Sequence, residues 1–117
     1  MKKAISISVI LILFGSVLTV SCHKDEYKGL DCSTISSAYN ANIKPLISAN
    51  CNSSSACHGA GSSNTDFTTY AGLKSRADDG TLNSRVLEDK NMPPAGALSL
   101  DDRKKIKCWL NNGAPNN

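Results

Sequence analysis

Large side chains are scarce in this chain of 117 residues, which holds two Phe, three Tyr and one Trp. A domain so poor in bulky groups has little apolar area to bury and needs a further source of stability. Methionine and histidine are equally sparse, with two of each, so few side chains can serve as soft or imidazole ligands. The length leaves room for one small domain, which argues against a barrel or a large-cavity enzyme. Sustained alternation of apolar and polar residues is missing, and with it the signature of half-buried strands. No internal repeat is visible. An excess of one charge is also missing. The net charge of +3 rests largely on Lys2 and Lys3, beyond which 11 basic side chains stand against 10 acidic ones. No basic stripe is left, so nucleic acid is not expected as a partner.

The apolar residues are concentrated near the start. Residues 4–20 (AISISVILILFGSVLTV) follow Met1-Lys2-Lys3, and a basic start, an apolar stretch and small residues make a secretory signal. The alternative is a transmembrane anchor, but the run is short and is broken by Ser6, Ser8, Gly15 and Ser16. It ends in Leu18-Thr19-Val20-Ser21-Cys22, which resembles a bacterial lipoprotein lipobox with its leucine one position further out than usual. The resemblance implies cleavage before Cys22, a lipid on that residue and a membrane-anchored protein of the periplasm or cell envelope. Residues 1–21 are then the signal peptide, 22–31 a charged tether and 32–117 the domain. Export also implies an oxidising compartment. Five cysteines enter it, at 22, 32, 51, 57 and 108. Lipid on Cys22 leaves an even number.

Helical spacing dominates the domain. Ile43, Leu46 and Ile47 lie at i, i+3, i+4 and predict a helix from about Asn42 to Asn50, with Pro45 in its first turn. Residues 33–41 are expected to form a separate turn carrying Ile35 and Tyr39. Residues 51–65 (CNSSSACHGAGSSNT) read as loop. Asp66 is the expected N-cap of a helix holding Tyr70, Leu73 and Ala77, stopped at Asp79-Gly80. Leu82–Asp89 reads as a short helix, and Asn91–Gly96 as irregular. Ser99 with Asp102 resembles a capping box opening a last helix. Ile106, Trp109 and Leu110 are its buried stripe, Arg103, Lys104, Lys105 and Lys107 its polar side, and Gly113 its C′ residue. The chain is expected to be all-α with long loops. Trp109 is expected in the core, and Phe67 and Tyr70 in the core or in the walls of a cofactor pocket.

The chemistry-bearing segment is Cys51-Asn-Ser-Ser-Ser-Ala-Cys57-His58-Gly59. Cysteine followed at once by histidine is the second half of a c-type haem attachment signature. Two thiols can add to the two haem vinyl groups as thioethers, which sets the next residue under the iron, where an imidazole nitrogen can ligate. Gly59 lets the backbone turn away from the porphyrin face. The spacer holds five residues where the usual motif has two, all small or turn-forming, so it can bulge outward. Met92 is the candidate second ligand, because its thioether is a soft donor and Pro93 and Pro94 restrict the backbone after it. Met1 leaves with the signal, and His23 sits beside the lipid. Three other readings stay open here: a Cys51–Cys57 disulfide, a copper site from Cys51, Cys57, His58 and Met92, and, less suited to methionine, zinc.

Ile43-Lys44-Pro45-Leu46-Ile47 before the first of these cysteines, then Cys57-His58-Gly59, then Asn91-Met92-Pro93-Pro94, then Leu98-Ser99-Leu100-Asp101-Asp102 and a Trp-containing helix: in this order the chain resembles a small class I c-type cytochrome domain over about residues 39–114. The resemblance implies a small helical domain with long loops wrapped around one covalent haem c. It implies thioethers at Cys51 and Cys57, His58 and Met92 as axial ligands, and a last helix packed by Trp109 and Leu110 across the helix before the haem loop. First and last helices cross in this family, so the resemblance also implies a Cys32–Cys108 disulfide. The implied role is electron transfer to and from redox partner proteins, without enzymatic catalysis, on a protein held to the membrane by its lipid. The other classes are a haem-free, disulfide-stabilised structural or binding lipoprotein, and an enzyme subunit or sensor in which Met92 leaves the iron.

Overall fold

A computed structural model describes residues 25–117. The expected signal, the Cys22 lipidation site and His23 lie outside the described residues. Those residues form helices and turns and no strand, in keeping with the all-α expectation. Among them no helix is long and apolar enough to cross a membrane.

The first element is a 3-10 turn, Cys32–Thr34, capped by the Asp31 carboxylate, which accepts from the Ser33 amide at 2.9 Å. A wide π-type turn, Tyr39–Ile43, then runs straight into α1, Lys44–Asn50. Helical backbone therefore starts at Tyr39, ahead of the expected Asn42. Pro45 is in the first turn of α1, where its fixed φ suits the helical backbone. α2, Tyr70–Asp78, is capped by Thr69, whose hydroxyl accepts from the Gly72 amide at 3.2 Å. Asp66, the expected cap, instead accepts from the Thr68 amide and closes the turn before the helix. Its carboxylate reaches a nearer donor first, so the cap falls to Thr69. A second π-type turn, Asn83–Glu88, follows, and α3, Leu100–Asn111, ends the domain.

Both ends of α3 follow from local chemistry. Ser99 Oγ accepts from the Asp102 amide at 3.1 Å and donates to the Asp102 carboxylate at 2.8 Å. At the other end the Ala114 amide bonds the Trp109 carbonyl and the Gly113 amide bonds the Leu110 carbonyl, each at 2.9 Å. These two bonds are a Schellman motif, with Gly113 at C′ and φ +83°. Arg103 departs from the expected polar side. It is 8% exposed, donates from Nε to the Leu98 carbonyl at 3.1 Å and pairs through Nη1 with Glu26 and the Tyr27 hydroxyl. A buried guanidinium is tolerated because its donors find partners. Through Glu26 and Tyr27 the segment ahead of Cys32 also reaches the domain.

The core sits where α3 meets the Tyr39 turn. Ile43, Ile106, Cys108 and Trp109 are fully buried. Trp109 stacks on Tyr39 with ring centroids 5.9 Å apart, and Tyr70 meets Tyr39 edge-on at 4.9 Å. Their polar atoms are satisfied locally. Trp109 Nε1 donates to the Pro115 carbonyl and the Tyr70 hydroxyl to the Ala114 carbonyl. Cys32 and Cys108 are joined by a disulfide across this crossing, with Cα atoms 5.3 Å apart. The bond closes a loop spanning nearly the whole domain. In the chain-entropy picture a loop of that length is worth roughly 4 kcal/mol. Replacing both cysteines by alanine is expected to lower stability by about that amount in urea unfolding. A loss under about 1 kcal/mol would contradict the assignment of that role.

Candidate functional site

The loop after α1 folds back on itself. The Ser54 carbonyl accepts from the amides of Cys57 at 3.0 Å and Gly59 at 2.8 Å, and the His58 amide donates to the Cys51 carbonyl at 3.1 Å. The residues between the two cysteines thus bulge out as a turn and return His58 to the side of Cys51. Gly59 is required for a reason other than the one its position suggested. A Cβ there would lie 2.7 Å from both the carbonyl carbon and oxygen of Ser54. Backbone at that distance cannot yield cheaply.

His58 is fixed on two sides. Its Nδ1 lies 3.0 Å from the Thr65 carbonyl oxygen. A carbonyl only accepts, so Nδ1 carries the proton, and in the neutral ring Nε2 keeps its lone pair. The Phe67 ring lies parallel against the imidazole, with centroids 4.0 Å apart and 5° between planes. The Phe67 amide also donates to the His58 carbonyl at 2.8 Å.

Met92 arrives from a separate loop. The amides of Asn91 and Met92 both donate to the Arg85 carbonyl, at 3.1 and 3.3 Å, which hangs the methionine loop from the Asn83–Glu88 turn. The Met92–Pro93 peptide is cis. Met92, Cys51, Cys57 and His58 all line one cavity of about 490 Å³, together with Phe67, Leu82, Val86, Pro93 and Pro94. That volume is in the range of about 300–1,000 Å³ usual for small-molecule and cofactor sites. Six polar or charged side chains that the sequence did not single out also line it: Asn50, Ser63, Asn64, Arg76, Thr81 and Arg85. A signal existed for two of them. Arg76 follows Leu73 by three residues and Arg85 follows Leu82 by three, so each shares a face with a buried leucine.

Cys51 and Cys57 carry free thiols, so the bond of the disulfide reading is not formed. Their environments differ. Burial, with the nearby Cys57, pushes the Cys51 thiol up to about 11. The hydroxyls of Ser54 and Ser53 hold the Cys57 thiol below its ordinary value, the latter at 3.7 Å from Sγ. Among the described residues no group of three His, Cys, Asp or Glu is gathered to hold a bare metal ion. Comparison of the chain with protein-family models, with curated proteins and with solved structures finds no match.

Two outcomes follow from this geometry. Gly59→Ala is expected to destabilise the loop by about 1–3 kcal/mol, as overpacking does, read by thermal unfolding. In protein with both thiols free, iodoacetamide at pH 8 is expected to label Cys57 first. A thiol near 11 has on the order of a hundredfold less thiolate there than an ordinary one. Mass spectrometry reads the order. Replacing Ser53 and Ser54 by alanine should slow Cys57 and leave Cys51 unchanged, and equal labelling of the two in the wild type would refute this account.

Proposed function

We propose that this chain is a single-electron carrier holding one haem c, a helical cytochrome c-like domain wrapped around its cofactor. One observation carries the reading: two thiols, an imidazole with a free nitrogen and a thioether, drawn from loops far apart in sequence, line one largely apolar cavity. The donor set suits the group. Cys51 and Cys57 would hold the group through thioethers, and His58 and Met92 would ligate its iron. Bound there, haem c supplies an iron that alternates between ferrous and ferric states. The Thr65 carbonyl holds the His58 proton on Nδ1, so that Nε2 points its lone pair to the ligand. Phe67, Leu82 and Val86 supply apolar walls to the pocket, and apolar surroundings with His/Met ligation favour a raised potential. With His58 and Met92 both given to the iron, no ligand position would be left for a substrate, and the role proposed is not enzymatic. The partners are redox proteins, and lipid on Cys22 tethers the domain to the membrane at the periplasm or cell envelope. The Cys32–Cys108 bond suits a haem-free disulfide-stabilised lipoprotein equally well, and the same experiment separates the two.

Protein made in cells competent in cytochrome maturation should give the reduced pyridine-haemochrome spectrum of covalently held haem. A folded, colourless preparation sinks the proposal. In haem-bearing protein, Met92→Ala should abolish the ferric methionine–iron charge-transfer band, and survival of that band removes Met92 as the ligand. Mass spectrometry of Cys51→Ala should show haem retained on Cys57 alone or lost, which decides whether one thioether suffices.

A further inference from the structure

Thr65 holds a backbone conformation that its side chain disfavours. Its φ is +81°, in the left-handed region that a β-branched residue rarely enters. Such a conformation persists only where the surroundings enforce it, and it clusters at functional sites. The enforcing group is Arg76. Its Nε and Nη2 both donate to the Thr65 hydroxyl, at 3.0 and 2.7 Å. The remaining arm of the guanidinium, Nη1, is held by the Asp79 carboxylate at 2.9 Å. Asp79 is itself fixed at the end of α2, where it accepts from the Thr81 amide at 2.8 Å. The product of this arrangement is the direction of one carbonyl, that of Thr65, which receives the His58 Nδ1 proton at 3.0 Å.

We propose that Thr65 and Arg76 are positioning residues that set the tautomer and ring plane of His58. Arg76 grips the hydroxyl, the grip twists Thr65 into its left-handed conformation, and the twist aims the carbonyl at Nδ1. A glycine would reach the same φ without strain but would offer Arg76 nothing to hold. A planar fork suits the task, because two of its donors converge on one oxygen while a third is anchored elsewhere. The proposal rests on the reading of His58 as an axial ligand for its consequence, since a partner on the far nitrogen orients a ligating histidine and raises its basicity. The relay itself is a property of the chain.

The test is NMR on the full mature protein, prepared without haem and, separately, after maturation in the ferrous state, with His23→Gln separating the two histidine signals. The ring 15N shifts report the tautomer, and solvent exchange of the Nδ1 proton reports the hydrogen bond. Thr65→Val keeps the shape and removes the hydroxyl, and is expected to speed exchange about tenfold, the scale of one lost hydrogen bond. Arg76→Ala should do the same. The double variant should go no further, because both changes break one connection. Thr65→Ser keeps the hydroxyl and should match the wild type, as should Lys74→Ala, a cation of the same helix that pairs with Asp78 and not with Thr65. In haem-bearing protein, Thr65→Val, which changes no charge, should raise the reduction potential while Thr65→Ser leaves it in place. Unchanged exchange in Thr65→Val, or independent, additive effects of Thr65→Val and Arg76→Ala, overturns the relay. A protein that takes up no haem but shows the expected exchange pattern overturns the electron-carrier reading and upholds the relay.

Discussion

The packing of Trp109 on Tyr39, with the Cys32–Cys108 bond beside it, holds the two ends of the domain to each other. The other elements are arranged around that crossing. It gathers three of the chain's six aromatic side chains in one place, with Tyr70 edge-on to Tyr39 and Ile43 and Ile106 buried in the same cluster. A chain with so few bulky groups cannot support two cores. Having formed this one, it builds the rest from short turns, and those turns line a cavity instead of filling it.

That cavity explains why so much of the hydrogen bonding outside the helices lies in two loops. The Cys51–Thr65 loop closes through backbone bonds onto Ser54 and Cys51, and the Met92 loop through bonds onto the Arg85 carbonyl. The first has no apolar bulk of its own, and the second has only Met92, Pro93 and Pro94. Each is shaped by amides finding carbonyls, which is how a segment made largely of Ser, Asn, Gly and Ala can hold a fixed form. The contrast between a buried Cys51 and a half-exposed Cys57 follows from the same fold-back: one thiol faces the core, the other the serine-lined rim.

Much of the helical layout was legible, and the departures have physical causes. The i, i+3, i+4 spacing of Ile43, Leu46 and Ile47 marked the first helix, but its entry by a widened turn at Tyr39 did not show, because turn width leaves no periodic trace. Asp66 looked like a helix cap by residue type, yet Thr69 does the capping, since the Asp66 carboxylate is taken by the Thr68 amide two residues on and the Gly72 amide is left to Thr69. Arg103 read as solvated because arginine usually is. Its burial depends on Glu26 and Tyr27, far away along the chain, and no local pattern reports that.

The candidate site divides along the same line. Residue identity and order along the chain decided its chemistry: adjacent cysteine and histidine, one methionine before two prolines, and small residues in the spacer. These are local facts, and ligand preference is a property of the atoms themselves. What only the tertiary structure decided is their company. The cavity that receives all four side chains, the parallel contact of Phe67 with His58, and the grip of Arg76 on a strained Thr65 each join segments that are separate in sequence. Such contacts exist only once loop closure has been accomplished, and that is governed by the packing of the whole chain.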